Sequence, residues 1–397
     1  MNDQPHRGLL KEEATLIAQI DLTVLMPCLN EAETLSACIR KAHLGCQKAD
    51  VTYEILVADN GSTDGSPEIA RREGARVIDV PARGYGAALH AGIQAARGRF
   101  IIMGDADDSY DFSEIEPFVE KWRQGYELVM GSRFKGEIKP QAMPFLHRWL
   151  GNPILTGIGN LLFRNKLSDY HCGLRGFDRQ AMLALDLRTT GMEFASEMVI
   201  KAGLAGLKTV ETPITLWPDG RSRPPHLRTW RDGWRHLRFM LLYSPRWLFF
   251  YPGVLLFIGG VLTLLLLLPA PLQIGVVVFD VHTMVVASVS TLVGAQLISL
   301  GLWARMFAAK AGLLPAKSSL YRFIQNISLE IGIALGIVTA IFGFLIDLYA
   351  VWLWGEVSFG PLNYQQTLRI IIPGSTLIGL GMQIFFSSFM ISILDLE

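Results

Sequence analysis

The sequence predicts an α/β domain built on a mostly parallel, doubly wound sheet, followed by an all-α membrane domain of four transmembrane helices. Three observations carry this. Short apolar runs alternate with helical patterns as far as about Pro245, the rhythm of strands joined by crossover helices. Each run breaks off in a polar cluster rich in Gly, Ser, Asn and Asp. Beyond Pro245 come long apolar stretches with few charges. The chain has 397 residues, no formal net charge and 50% hydrophobic content. That leaves room for more than one domain and argues against a nucleic-acid binder, which carries a basic excess.

In order, "DLTVLMPCLNE" (residues 21–31) reads as a buried strand entering a polar turn, with an amphipathic helix to about Leu44. "YEILVADNGSTDGS" is a second strand that stops at Asp59, "ARVIDV" a short third, "PARGYGAALHAGIQAARG" a loop and helix, and "RFIIMGDADD" the next strand. In such sheets ligands bind at the carboxyl ends of the strands. Asn30–Glu31, Asp59–Asp64, Arg83–Gly86 and Asp105–Asp108 all fall there. Cys28, Cys38, Cys46 and Cys172 have no CxxC or metal-ligand spacing and read as reduced core thiols of a cytosolic domain. The polar start, "MNDQPHRGLLKEEATL", lacks a signal-peptide core.

Residues 247–268, 283–303, 327–354 and 370–394 each reach the roughly 20 apolar residues that cross a bilayer. The loop at 269–281 has no Lys or Arg, whereas 304–326 carries Arg305, Lys310, Lys317 and Arg322, and 355–369 only Arg369. Excess positive charge marks the cytoplasmic side. The expectation is a multi-pass cell (inner) membrane protein with both termini and the N-terminal domain in the cytoplasm. Ahead of the first span, Arg228, Arg231, Arg235 and Arg238 stand at helical spacing beside Trp230, Trp234, Leu237 and Leu241, a membrane-surface helix. "HRWLGNPILTGIGNLLF" reads as interfacial too, with an amphipathic core helix as the other reading. The expected limits are an N-terminal extension at 1–20, a catalytic domain at 21–226, an interfacial helix at 227–246 and a membrane domain at 247–397.

"GDADDSYDF" packs four carboxylates into seven residues, 105 to 111. Like charges this close repel unless a cation is present. Asp105 and Asp107, two apart in an extended exit, can turn to one face. With diphosphate oxygens they suit Mg²⁺ or Mn²⁺ acting as a Lewis acid. Asp105, Asp107, Ser109, Asp111, Ser113 and Glu116 also fall at EF-hand spacing, but Tyr110 stands where the turn glycine belongs and a strand precedes the loop. The absence of G-x-G-x-x-G after the first strand excludes a dinucleotide enzyme. The glycines of "RGYGAAL" allow close backbone approach to a ligand, and Arg83 adds positive charge.

"VLMPCLNEAETL", "ILVADNGSTDGS", "RGYGAAL", "GDADDSYDF", "GSRF" and "SDYHCGLRGF" together resemble family 2 glycosyltransferases of the GT-A fold. The branch most resembled is the polyprenyl-phosphate glycosyltransferases, dolichol-phosphate mannose and glucose synthases included, over roughly residues 21–216. The resemblance implies a UDP- or GDP-hexose donor, a divalent cation (Mg²⁺ or Mn²⁺) and inversion at the anomeric carbon. It places Pro27, Asn30, Glu31, Asp59, Ser62, Arg83, Gly84 and Asp105 on the nucleotide-sugar, Asp107 with Asp105 on the metal, and Arg133 and Arg148 on an acceptor phosphate. Asp105, Asp107 and Arg133 would carry catalysis. Ser109 falls where dolichol-phosphate mannose synthases carry Gln. Asp169, His171 and Arg175 lie where the branch reads D-x-x-S-G-F, with Cys172 in place of the Ser and His171 read as structural. Glu193 and Glu197, one helical turn apart, line the acceptor site or form a solvated face.

A sugar hydroxyl needs a general base before it attacks, whereas a phosphate monoester, with a second pKa near 6, is already ionised. A polyprenyl (undecaprenyl or dolichyl) phosphate accepting glucose or mannose is therefore the expected acceptor. The alternatives are a processive polysaccharide synthase, transfer to another membrane lipid, and a non-catalytic scaffold or lipid-translocation partner. The first is weakened because "FLHRW" and "YSPRW" lack the Gln of Q-x-x-R-W and no span precedes the domain; the last is weakened by the intact acidic constellation. Expected partners are the donor, the lipid and the membrane, with no nucleic acid; a homo-oligomer is left open.

Overall fold

A computed structural model describes residues 20–163, 165–222, 229–311, 314 and 328–395. The expected N-terminal extension, apart from its last residue, and Arg228, Lys317 and Arg322 lie outside these. The chain divides at Met240/Leu241 into two compact units.

The first unit holds β1 (Leu22–Cys28), α1 (Leu35–Lys48), β2 (Tyr53–Asp59), α2 (Ser66–Arg72), β3 (Arg76–Asp79), α3 (Tyr85–Ala95), β4 (Phe100–Met103), α4 (Glu116–Arg123), β5 (Leu128–Ile138), α5 (Asn152–Phe163), β6 (Arg175–Asp178), α6 (Arg179–Ala184), α7 (Phe194–Ala205) and β7 (Thr209–Leu216), and most of α8 (Thr229–Leu242). The seven strands lie in the order β3-β2-β1-β4-β6-β5-β7. Only β6 runs antiparallel to its neighbours among these strands. The register puts Cys28 beside Asp59 and Asp59 beside Asp79, so the first loops leave one edge at one level. The runs are continuous rather than alternating because both faces are covered. Leu22, Val24, Met26 and Cys28 pack in a core with Leu35, Cys38, Ile39, Ala42 and Cys46 of α1. On the other face Gly92 of α3 meets Leu25 so closely that a Cβ would strike it. All four cysteines are buried free thiols.

The second unit contains α9 (Tyr251–Leu267), a hairpin of β8 (Leu272–Ile274) and β9 (Val277–Phe279), α10 (Val281–Lys310), α11 (Leu329–Glu356) and α12 (Tyr364–Asp395). Four helices are long and apolar enough to cross a membrane, and no more than 22% of the apolar stretch of any is buried within the protein. Their outward faces need a nonpolar solvent, and this is a membrane protein. Contact between helices runs through small residues: Gly253 and Gly260 of α9 against Gly294 and Thr291 of α10, Gly343 and Gly336 of α11 against Gly374 and Gly381 of α12. The helices outrun their apolar cores, which shifts three charges counted as loop residues: Arg305 and Lys310 onto α10 and Arg369 onto α12. Arg305 is buried on α10, and Arg369 is buried on α12, where it pairs with Asp280 and reaches the Leu267 carbonyl.

Candidate active site

The loop after β1 turns at Asn30, whose φ of 58° lies in the left-handed region that Asn tolerates better than most residues. It is stitched to the loop after β2. Asn30 N–H donates to Ser62 Oγ at 2.8 Å, Thr63 N–H donates to Asn30 Oδ1 at 2.7 Å, and Glu31 N–H donates to Ser66 Oγ at 2.9 Å. Ser62 thus serves the frame of the site, and Pro27 is part of β1 itself, paired with Ala58. Asp59 closes β2: its Oδ2 accepts from Gly61 and Ser62 N–H, both at 3.0 Å, while Oδ1 is buried without a partner among the described residues. That leaves one fixed acceptor uncommitted among the described residues.

Asn60, which sequence reasoning passed over, holds the next loop. Its amide donates to the Val80 and Ala82 carbonyls and its Oδ1 accepts from Gly84 N–H at 2.8 Å, while Arg83 Nη1 returns to the Asn60 carbonyl at 2.7 Å. Gly84 has φ +134°, and a Cβ there would collide with the Thr190 carbonyl. That second strand of contact, residues 188–190, is fixed by Glu197. Its fully buried carboxylate accepts from Arg188 N–H, Thr189 N–H and Oγ1, and Lys201 Nζ at 2.9 Å. The solvated-face reading of Glu197 fails, and so does an acceptor role, since its oxygens are engaged. Glu193 at the start of α7 is half-buried, with Oε2 lacking a partner among the described residues.

Asp105 and Asp107 emerge from β4. Tyr85, also unanticipated, donates to Asp105 Oδ1 at 3.0 Å. Burial, and then the charge of Asp107, push the Asp105 carboxyl up to about 6. Asp107 Oδ1 accepts from Ser109 N–H at 3.1 Å and Oγ at 2.6 Å; Ser109 therefore orients the carboxylate that it follows. Asp107 Oδ2 meets Arg221 at 2.7 Å, and the same guanidinium reaches Glu31 at 3.2 Å and Asp219 at 3.1 Å. Arg221 stands on a strap after β7, tied down by Gly220 N–H to the Asp107 carbonyl and by Ser222 to Glu33. The only sequence signal for it is a basic residue in "WPDGRSRP", far from the acidic loop.

No group of three or more His, Cys, Asp and Glu side chains forms a ready metal cage among the described residues. Mg²⁺-type sites need only one or two carboxylates when substrate phosphates complete the shell. Asp105 and Asp107 supply two carboxylates of that kind, and Asp107 is paired with the Arg221 guanidinium.

Across the sheet, Arg133 forms a two-pronged pair with Asp169, Nε to Oδ2 at 2.6 Å and Nη2 to Oδ1 at 2.7 Å. Asp169 is fully buried and the Arg133 side chain 10% exposed. The fork expected to face an acceptor thus grips a carboxylate, leaving Nη1 without a hydrogen bond among the described residues. Arg148 lies on the wide helical turn His147–Gly151, its guanidinium 5.5 Å from the Trp149 ring centre. The described contacts do not join it to Arg133. Cys172 is fully buried and donates to the Leu174 carbonyl. On α8, Trp230, Arg231, Trp234, Arg235 and Arg238 are exposed and His236 and Met240 buried. Trp and Arg therefore share the outward face.

Residues 23–185 match the model of glycosyl transferase family 2, and 302–395 that of the glycosyltransferase family 2 C-terminal transmembrane region. A low-salt glycan biosynthesis hexosyltransferase of Haloferax volcanii is 36% identical over 400 residues, covering 98% of this chain and 93% of that protein. The chain belongs to glycosyltransferase family 2. A dolichyl-phosphate hexose transferase of the same organism is 30% identical to this glycosyltransferase over 49% of the chain and 82% of the relative. Among solved structures, glucosyl-3-phosphoglycerate synthase from Mycobacterium tuberculosis superposes with a TM-score of 0.44 at 21% identity, over 57% of this chain and 80% of that one. The seven-stranded, mostly parallel sheet is the GT-A catalytic fold of the family, followed here by four apolar helices.

Proposed function

We propose that this glycosyltransferase moves a hexose, glucose or mannose, from a UDP- or GDP-sugar to a polyprenyl phosphate at the cytoplasmic face of the membrane, with inversion. The observation that carries the reading is the division of the sheet edge. Acidic groups with a buried, uncommitted acceptor, Asp59 Oδ1, stand on one side, and the part-committed cation Arg133 on the other. The name of the dolichyl-phosphate hexose transferase relative supports the lipid class. The catalytic domain is taken as residues 21–226, the interfacial helix as 227–246 and the membrane domain as 247–397.

In this mechanism Asp59 and the Asn30–Glu31 loop hold the nucleoside, and Asn60 keeps Arg83 and Gly84 beside the donor. Asp107 and Asp105 would hold a divalent cation, which supplies Lewis-acid stabilisation of the diphosphate. Arg221 leaves Asp107 for the diphosphate oxygens. Arg133 Nη1, aimed by Asp169, positions the acceptor phosphate, with Arg148 as a second cation. A phosphate oxygen forms the bond to the anomeric carbon as the bond to the diphosphate breaks, and the electron pair leaves with the nucleoside diphosphate. No proton need move.

A second reading is favoured by Glu193, whose Oε2 lacks a partner among the described residues. That carboxylate could take the proton of a lipid hydroxyl. Membranes carrying the protein, incubated with labelled nucleotide-sugars with and without polyprenyl phosphate and Mn²⁺, decide between them. An acid-labile, phosphate-linked product supports the first reading; an acid-stable glycoside overturns it.

A further inference from the structure

His171 presents both ring nitrogens buried and without a hydrogen-bond partner among the described residues, while the residue as a whole keeps some exposure. Leaving such groups unmade is costly, and a native site retains them for a ligand or a function. The surroundings say which ligand. The His171 backbone N–H donates to Asp169 Oδ1 at 3.3 Å, the oxygen that also accepts from Arg133 Nη2. Arg175, fully buried, spends its guanidinium on the carbonyls of Cys172 at 2.7 Å, Ala195 at 2.6 Å and Tyr170 at 3.0 Å. Of these two buried arginines only Arg133 is paired with a carboxylate, Asp169, and Arg175 has no ion pair among the described residues. Arg133 has only Nη1 to offer an anion, too few donors for a phosphate's three free oxygens.

We propose that His171 is a further contact for the phosphate monoester of the acceptor, its ring N–H acting beside Arg133 Nη1; the proposal rests on the phosphate-acceptor reading above. The ring is held for this by His236 of α8, packed edge-on with centroids 4.7 Å apart at 72° and itself fixed by Ser196 Oγ at 2.8 Å. Burial, then His236, Arg133 and Arg175, hold the His171 imidazole well below its usual value, so the ligand-free ring is neutral at pH 7. A neutral ring carries one N–H, and an arriving dianion favours its taking up a second proton.

The test uses the full-length protein, with His171→Phe keeping the ring packing without a donor and His171→Gln keeping a donor. Initial rates are measured against polyprenyl phosphate and nucleotide-sugar separately, with inorganic phosphate as competitor and nucleotide binding as the check on folding. His171→Phe is expected to raise the acceptor KM about tenfold with the donor KM within about twofold, and His171→Gln to recover part. Inorganic phosphate should compete with the lipid in the wild type and less well in His171→Phe. A wild-type acceptor KM in His171→Phe overturns the proposal, as do equal losses toward donor and acceptor in both variants. Lost phosphate competition with an unchanged lipid KM would assign the site to free phosphate and overturn the lipid assignment. A wild-type product linked through a hydroxyl defeats the acceptor reading itself, a result separate from all of these.

Discussion

Arg221 spans Asp107 Oδ2 at 2.7 Å and Glu31 Oε1 at 3.2 Å, placing a guanidinium where the acidic loop after β4 meets the loop after β1. A cation held there competes with any divalent ion seeking Asp107. Charge-assisted contacts are worth roughly 1.5–3 kcal/mol. Arg221→Ala should therefore tighten Mn²⁺ binding to the donor-free enzyme about tenfold, read by paramagnetic titration, while slowing turnover through loss of a diphosphate contact. Unchanged Mn²⁺ affinity would remove Asp107 from the metal site.

Asp107→Ala should abolish transfer while expression and membrane insertion persist; full activity of the purified variant, or undiminished wild-type activity in EDTA, would contradict it. The Asp105 carboxyl, raised to about 6, adds a pH signature. A raised carboxyl is protonated below that value, so metal-dependent donor binding should weaken as pH falls through about 6. In Asp105→Asn binding should be weaker overall and lose that step. Calorimetric titration of nucleotide with Mn²⁺ at pH 5 and pH 7.5 measures both.

The strands were legible because a sheet covered on both faces needs unbroken apolar runs, and β1, β2 and β4 carry them. The four site loops followed from where those runs stop. What escaped were partners that only tertiary folding brings close. Asn60 and Tyr85 sit inside motifs that could have flagged them, whereas Arg221 arrives from a strap after β7 with no local pattern to announce it. Glu197 looked like half of an exposed pair because helical spacing does not reveal burial; the Arg188–Thr189 turn and Lys201 that cover it do. Arg133 was expected to face an acceptor phosphate, but its fork belongs to Asp169, a residue of another motif.

Glu197→Ala should cost about 3–5 kcal/mol of stability, because it leaves Lys201, 6% exposed, with only the Asp186 carbonyl and strands three donors of the 188–189 turn. Glu197→Gln should cost less. Thermal unfolding reads the loss, and donor affinity should fall with it as the Thr190–Gly84 contact loosens. A variant as stable as the wild type would contradict this account of the turn.

The topology prediction uses Val276, 97% exposed in the hairpin, and Lys317 in the basic loop. With the four native cysteines replaced, Val276→Cys should react with an impermeant thiol reagent outside intact cells and Lys317→Cys only after lysis. The opposite pattern would put the catalytic domain on the other side.

The Arg133–Asp169 pair separates folding from acceptor binding. Arg133→Ala leaves a fully buried carboxylate without its partner, a loss of roughly 3–5 kcal/mol. It should therefore both destabilise the protein and raise the acceptor KM. The double variant Arg133→Met, Asp169→Leu removes both charges and should recover most of the stability. It should not recover the acceptor KM, because Nη1 is gone in both. Arg133→Lys should lie between: a single ammonium can pair with Asp169 or with the phosphate but cannot reproduce a planar fork that does both. The measurements are thermal unfolding alongside KM for polyprenyl phosphate and for the nucleotide-sugar. If the double variant regains wild-type acceptor KM together with stability, Arg133 is a structural residue and the phosphate must be held elsewhere.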